Sequence, residues 1–374
     1  MTVPLATVDP EAGFDDLGRL RELIGDARIV ALGEGAHNVT EFYRIKDRIF
    51  RFLVQELGFT AFVMESGYAE GLTVADWVRG GSGPVDAIAR DGITYRFGEC
   101  APMHRQLEWM RRQNGRVRFY GMDLPGSSTS PGPAVRACLA RMPRHPGDEE
   151  LLRLSELGGR TEAAIRLDRM PAAERFQLLD GLARLEDRAT VLGDEIAIRC
   201  AASLHAFVEE LAGPVSGPYP RVVFMAGTVR WIAEREQRIV VSAHNAHVQR
   251  TPFLGRTTVG GMLAEENLVV IGTTYGTGPE VRFTERSARP FDCDVTLEQR
   301  VPAANSIEAQ LDRLGHPIAL VEPDDMVAEG MLSNGEFVPT DCAAAYDALI
   351  HFREVHRIPG AFERLRAEFA PEPA

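Results

Sequence analysis

Lysine is almost absent from this sequence. Lys46 is the only lysine, and every other basic residue apart from the nine histidines is an arginine. Because Lys46 does not follow a GxxxxGK pattern, a phosphate-binding P-loop is excluded. Catalysis through a Schiff base, which needs a side-chain amine, would have to use that single residue.

Cysteine is also scarce. The five cysteines are far apart, and no two of them form a CxxC pair: Cys100, Cys138, Cys200, Cys293 and Cys342. This spacing indicates neither a disulfide framework nor a cysteine zinc site, so we expect buried thiols.

Long apolar runs and excess positive charge are missing as well. No run approaches the roughly 18 apolar residues that span a bilayer, and residues 1–16 lack the basic and apolar regions of a signal peptide. The net charge is -13, whereas binding to nucleic acid needs a cationic surface. We therefore expect a cytoplasmic protein without a membrane or nucleic-acid partner, and the sequence leaves the oligomeric state open.

The pattern of apolar residues predicts an α/β fold, with a mostly parallel mixed sheet flanked by helices and a helical insert subdomain. Strand-like runs alternate with helical periodicity through residues 1–125 and return after residue 237, whereas residues 148–211 show helical patterns only. We expect an α/β catalytic core at 1–145 and 214–374, and a helical insert at 146–213. The predicted strands are 28–32, 59–65, 117–123, 238–243, 267–274 and 318–321.

The first predicted strand leads into a long helix at residues 38–57. Apolar residues recur there at three- and four-residue spacing, which is typical of a helix with one buried side. Asn38 and Glu41 have the spacing of a capping box, so we expect them to fix the start of this helix.

Acidic and imidazole side chains follow the predicted strands. Glu34 and His37 follow the first strand in "VALGEGAH", Glu65 ends the second, Asp123 ends the third, and "HNAH" follows the strand at 238–243. The carboxyl ends of parallel strands meet at one edge of a sheet, where α/β proteins bind their ligands. The sequence therefore predicts a single site at this edge.

A carboxylate beside an imidazole can orient the ring and raise its basicity, so that the other ring nitrogen takes a proton from water. Either Glu34 with His37, or Glu65 with His244 or His247, could form such a pair. No GxSxG motif or suitably placed cysteine indicates a covalent intermediate. General-base hydrolysis is the predicted chemistry.

Three alternatives remain open at this point. The carboxylates and histidines could be merely structural, as helix caps and solvated turns. They could hold Zn²⁺, although neither GEGAH nor HNAH has the helical HExxH spacing, and we expect no metal and no other cofactor. Finally, "GEGAHN" comes close to the dinucleotide motif GxGxxG, but its third glycine is missing and a glutamate would face the pyrophosphate.

Together these motifs resemble the erythromycin esterase-like family. The similarity covers "ALGEGAHNVTEFYRIKDRIFRFLVQELGFTAFVMES", "YGMDL" and "VVSAHNAHVQR", in the same order and with similar spacing over about residues 28–275. The resemblance implies a mixed α/β core with a helical subdomain, and hydrolysis of an ester or macrolactone by water that a histidine activates.

The resemblance also implies roles for individual residues. His37 is similar to the general base, with Glu34 and Glu65 as its carboxylate partners. His244 and His247 are similar to the histidines that face it across the cleft. The substrate-binding residues that it implies are His247, Arg221, Asp123 and Asn245.

Three positions depart from the family's pattern. Asn38 replaces a frequent glycine, and Val222 and Thr228 replace an aspartate and an asparagine. We therefore expect a small-molecule substrate such as an ester, a lactone or a polyketide-like compound, other than erythromycin itself. Non-hydrolytic chemistry with the same residues remains the alternative, namely acyl transfer, cyclisation or elimination in natural-product biosynthesis. A non-catalytic protein that binds a ligand or haem through these histidines is the third reading.

Overall fold

A computed structural model describes residues 1–212, 217–287, 292–333 and 336–369. The strands are β1 (Thr2–Pro4), β2 (Ile29–Glu34), β3 (Ala61–Gly67), β4 (Arg118–Asp123), β5 (Ile239–His244), β6 (Leu268–Glu285), β7 (Cys293–Arg300), β8 (Ile318–Val321), β9 (Gly330–Ser333), β10 (Glu336–Pro339) and β11 (Ala348–Glu354). The helices of the first half are α1 (Gly18–Ile24), α2 (Thr40–Leu57), α3 (Tyr68–Val78), α4 (Val85–Gly92), α5 (Ala101–Arg112), α6 (Gly132–Leu139), α7 (Asp148–Ser155), α8 (Arg160–Asp168) and α9 (Ala172–Leu192). They are followed by α10 (Glu195–Leu211), α11 (Pro220–Ala233), α12 (Asn245–Val248), α13 (Val259–Met262), α14 (Ile307–Asp312), α15 (Cys342–Ala345) and α16 (Ala361–Glu368).

The main sheet is mixed, and its central strands are parallel. Within the described residues it has the order β1-β8-β11-β6-β2-β5-β3-β4, and β7 pairs with the outer part of β6. The pairs from β11 to β4 are parallel, whereas β8 pairs antiparallel with both β1 and β11. Every residue of β2 and β5 is buried, as expected for strands covered by helices on both faces. The predicted α/β fold is confirmed.

Three apolar clusters surround this sheet. One face packs against α1, α2 and α5, and the other face packs against α11, α13, α14 and α15. A third cluster is formed by α6, α7, α8, α9 and α10, and it includes Tyr68 of α3 and Phe224 of α11. The helical part thus has its own core, with α6 included. The proposed division at residues 145/146 and 213/214 stays a prediction, and the second of these boundaries lies outside the described residues.

Helix α2 is where the sequence and the structure differ in detail. Its apolar stripe is buried as predicted, and it ends at Gly58, which has a left-handed φ of 71°. The predicted capping box is wrong, because Val39 occupies the N-cap position and no side chain caps the helix. The carboxylate of Glu41 instead accepts hydrogen bonds from the backbone N–H and the ring of His356, at 2.8 and 2.9 Å.

No helix in the described part of the chain is long and apolar enough to cross a membrane.

Candidate active site

The carboxyl ends of four neighbouring strands carry the predicted site. In the order β2-β5-β3-β4, Glu34 is the register partner of His244, and Gly67 is the register partner of Asp123. Neighbouring strands are about 4.8 Å apart, so the side chains at these ends come within reach of one another. The polar residues singled out in the sequence therefore meet at one edge of the sheet.

The turn after β2 is shaped by close backbone contacts. A Cβ on Gly33 would collide with the amide oxygen of Asn245, and a Cβ on Gly35 would lie 2.7 Å from the carbonyl oxygen of Thr273. Asn38 ends the turn with a φ of 58°, a left-handed conformation that asparagine adopts more easily than most residues. These contacts explain the two glycines without a bound dinucleotide.

His37 is held by Glu34. Its Nδ1 lies 2.6 Å from Oε1 of Glu34, while Lys46 Nζ donates to Oε2 of the same carboxylate. Burial by itself would raise the pKa of Glu34, but Lys46 and His37 outweigh burial and lower this pKa to about 2. Glu34 is therefore a permanent carboxylate that accepts the Nδ1 proton of His37, and the Nε2 lone pair of His37 stays available.

His244 lies opposite His37, with the two ring centroids 4.9 Å apart. Its Nδ1 accepts a hydrogen bond of 3.1 Å from the backbone N–H of Ala246, so the proton of the neutral ring lies on Nε2. Burial and the nearby His37 lower the pKa of His244 to about 3. His244 is thus a neutral ring whose Nε2–H has no hydrogen-bond partner among the described residues.

Glu65 connects three parts of the site. Its Oε2 accepts a 2.8 Å hydrogen bond from the backbone N–H of His244, and its Oε1 lies 3.2 Å from His247 Nε2 and 3.3 Å from Arg221 Nη2. Burial opposes the charged form, but His247, His37 and Arg221 keep the pKa of Glu65 well below its usual range. Glu65 therefore pairs directly with His247, whereas the contact that orients His37 comes from Glu34.

Asp123 fixes Arg221. The guanidinium donates to both carboxylate oxygens, from Nε at 2.8 Å and from Nη2 at 2.6 Å, and the hydroxyl of Tyr95 donates to Oδ2 at 2.9 Å. Asp123 is completely buried behind Arg221. It is placed to position the arginine, and its predicted contact with the substrate stays a prediction.

Asn245 also lies behind the site. Its Nδ2 donates to Thr273 O at 2.8 Å and its Oδ1 accepts from Thr273 N at 3.3 Å, so both ends of the amide bind the backbone of β6. Both polar ends of the Asn245 side chain are therefore engaged with β6, and the predicted contact of Asn245 with the substrate stays a prediction.

A cavity of about 500 Å³ opens in front of these residues. Of the predicted site residues, His37, Glu65, Arg221, His244 and His247 line it, whereas Glu34, Asp123 and Asn245 do not. Its volume is in the range of pockets that hold small molecules. Its wall also includes residues that sequence analysis did not single out: Tyr95, Phe97, Arg160, Glu210, Tyr219, Arg256, Glu280 and Arg357.

Lys46 is a residue of the candidate site that sequence reasoning could have identified. It lies on the buried side of α2 between Phe42 and Ile49, where an unpaired charge would be costly. A single lysine on an apolar stripe signals a buried carboxylate partner. Tyr95 and Phe97 carry no such signal, because they lie in irregular structure between α4 and α5.

No group of three or more histidine, cysteine, aspartate or glutamate side chains within the described ranges has the arrangement of a metal site.

Comparison with known proteins gives a consistent result. The sequence profile described as "Erythromycin esterase" matches residues 54–355, a segment that begins after Glu34 and His37. Erythromycin esterase type II from Escherichia coli is 28% identical over 291 residues, covering 67% of this chain and 68% of that protein. Erythromycin esterase type I from Escherichia coli is 25% identical over 381 residues, covering 90% and 93%.

Solved structures show the same fold. The erythromycin esterase EreC, a histidine-to-asparagine mutant in its open conformation, superposes with a TM-score of 0.76 at 23% identity and covers 96% of this chain and 98% of its own. A succinoglycan biosynthesis protein superposes with a TM-score of 0.75 at 20% identity, covering 96% and 95%. Because the profile spans most of the sequence, this chain belongs to the erythromycin esterase family.

Proposed function

We propose that this protein hydrolyses an ester or lactone, with His37 as the general base that activates water. The observation that carries the proposal is the contact between His37 Nδ1 and a carboxylate that stays ionised, which leaves Nε2 free on a residue of the cavity wall. A ring held in this way is oriented with its Nε2 towards the cavity, where it can take a proton from water.

In the proposed reaction, Nε2 of His37 removes a proton from water while the water oxygen attacks the carbonyl carbon of the ester. The resulting tetrahedral oxyanion accepts hydrogen bonds from the groups across the cavity. His244 contributes its Nε2–H there, and Arg221, fixed by Asp123, contributes positive charge. The C–O bond then breaks, and His37 returns its proton to the leaving alcohol.

Two residues of α11 that differ from the family's pattern, Val222 and Thr228, affect the expected substrate differently. Val222 lines the cavity at a position where the resemblance implies an aspartate, whereas Thr228 is buried and its hydroxyl donates to Phe224 O at 2.8 Å. Of the two differences on α11, only the valine can change ligand contacts. Because it replaces a charged group by an apolar one, we propose a substrate other than erythromycin itself.

A mass-spectrometric screen of lactones, linear esters and candidate biosynthetic intermediates tests this proposal. A product heavier by one water supports hydrolysis, while an isomer or a new adduct would favour acyl transfer, cyclisation or elimination. His37→Ala should lower kcat by about 10²- to 10⁴-fold, the usual contribution of a positioned general base. His145→Ala, which changes an exposed histidine outside the cavity wall, is the matched control. Normal turnover by His37→Ala would remove this residue from the mechanism.

A further inference from the structure

One part of the cavity wall plays no role in the proposed hydrolysis. It is formed by β6 and by the loop after β11, where Glu280 and Arg357 line the cavity and Tyr275 is buried nearby. Ile358, the residue after Arg357, donates from its backbone N–H to Asn38 O at 2.9 Å. This part of the wall is therefore attached directly to the turn that carries His37.

Each of these three side chains has a buried polar atom without a hydrogen-bond partner among the described residues: Tyr275 OH, Glu280 Oε1 and Arg357 Nε. They are close enough to influence one another, because Glu280 raises and Arg357 lowers the pKa of Tyr275, which is raised mainly by burial. Burial also lowers the pKa of Arg357. Three buried polar atoms without hydrogen bonds in one region are unusual, because buried polar groups normally have hydrogen-bond partners.

The charges next to His37 differ in this respect. Arg221 is paired with Asp123 and Glu65, and Glu34 is paired with Lys46. Within the part of the chain that the structure describes, neither Glu280 nor Arg357 forms an ion pair. At this part of the wall, a carboxylate and a guanidinium are thus available to a ligand.

We propose that Glu280 and Arg357 form a subsite for a neutral, hydroxyl-bearing part of the substrate, such as a polyol or a sugar ring. A hydroxyl group can donate to Glu280 and accept from Arg357, and a diol can contact both side chains at once. An anion bound to Arg357 would be repelled by Glu280, and an ammonium group bound to Glu280 would be repelled by Arg357. A neutral group that carries both hydrogen-bond donors and acceptors is complementary to both side chains.

The surroundings suit such a ligand. Val281, Phe283 and Leu365 line the same part of the cavity and offer apolar surface to the C–H groups of a ring. The inference rests on the proposed function, since it assigns a substrate class to the same cavity, and it adds a specificity site beside His37.

Calorimetric titration with three octyl amphiphiles, each below its micellar concentration, tests the proposal without requiring turnover. Octyl β-D-glucoside is the neutral hydroxylated probe, and octyl sulfate and octylammonium are the charged ones. The wild-type protein should bind the glucoside most tightly. Glu280→Gln and Arg357→Met should each weaken glucoside binding by roughly tenfold, the effect of losing a hydrogen bond to a charged group.

The charged probes provide a readout that a merely structural role would not change. Glu280→Gln should increase affinity for octyl sulfate, because Arg357 is then unopposed, and Arg357→Met should increase affinity for octylammonium. The matched controls are Glu285→Gln, on β6 like Glu280, and Arg353→Met, on β11 just before the loop of Arg357. Both positions are exposed, and both variants should bind like the wild type. Arg357→Lys keeps the charge without the Nε donor, and serves if the methionine variant fails to fold.

The proposal is overturned if octyl sulfate binds the wild type best through Arg357, which would indicate an anion site. It is also overturned if neither variant affects glucoside binding. Running His37→Ala in parallel separates the two proposals. If the protein binds the glucoside but hydrolyses none of the screened esters and lactones, the subsite is retained and the esterase reaction is rejected. If hydrolysis depends on His37 but the Glu280 and Arg357 variants bind the glucoside like the wild type, the esterase reaction is retained and the subsite is rejected.

Discussion

Replacing the single lysine offers the sharpest test of the electrostatic argument. Lys46 donates to the buried carboxylate of Glu34, which in turn holds His37. Methionine has a similar length and cannot carry a charge, so Lys46→Met removes the ion pair while keeping most of the packing. Two consequences are expected, one for stability and one for activity.

The magnitude follows from the pKa of Glu34. This pKa lies at about 2 rather than at the ordinary 4.5, and a difference of this size corresponds to about 3 kcal/mol. Burial acts in the opposite direction, so Lys46 and His37 together contribute more than this. Losing Lys46 leaves a buried carboxylate with less compensation, and we expect the free energy of unfolding at pH 7 to fall by about 3 to 5 kcal/mol.

Urea denaturation at pH 7 measures this change, with a constant slope as the check on two-state behaviour. Arg44→Met on the same helix is the control, because Arg44 is partly exposed and lies 3.6 Å from Asp9, and such surface pairs contribute about 0 to 1 kcal/mol. The double variant Glu34→Gln/Lys46→Met should recover part of the stability, because it removes the unpaired charge, but it should lose activity, because the amide cannot replace the carboxylate that holds His37.

Activity should respond in a defined direction. Without Lys46 the pKa of Glu34 rises, so the carboxylate is protonated at higher pH and stops orienting His37. The acidic limb of the pH–rate profile therefore moves to higher pH in Lys46→Met. A stability loss below about 1 kcal/mol, equal to that of Arg44→Met, together with an unshifted acidic limb, would refute the reasoning.

Three further predictions concern the same site. Glu65→Gln should lower kcat/KM by up to about 100-fold by releasing His247 and Arg221, and an unchanged pH–rate profile would count against this role. Dialysis against a strong chelator should leave turnover unchanged, because the described side chains form no metal-binding group; loss of activity that Zn²⁺ restores would contradict this. The pKa of His244 is lowered from 6.5 to about 3, so the native state excludes a proton that the unfolded chain binds. This group therefore destabilises the fold as pH falls from 6.5 towards 3, by up to about 5 kcal/mol, and His244→Gln should flatten the loss measured by denaturation over that range.

Local patterns in the sequence were sufficient for the fold class and for the contact between Glu34 and His37. The continuous apolar runs of β2 and β5 identify buried parallel strands, because such strands are covered on both faces. The three-residue separation of Glu34 and His37 places both side chains on one turn, so their pairing depends little on the rest of the chain.

Only the tertiary structure decided how the other residues pair. Glu41 lies in a capping-box pattern, yet it binds His356, which is 315 residues away in sequence. Glu65 contacts His247 and Arg221 because β5 lies between β2 and β3 in the sheet, and Glu280 and Arg357 join the cavity through the pairing of β6 with β11. Strand order arises from the packing of distant segments, which leaves no local pattern in the sequence. The sequence therefore determined which chemical groups are present at the edge of the sheet, and long-range packing determined which of them touch.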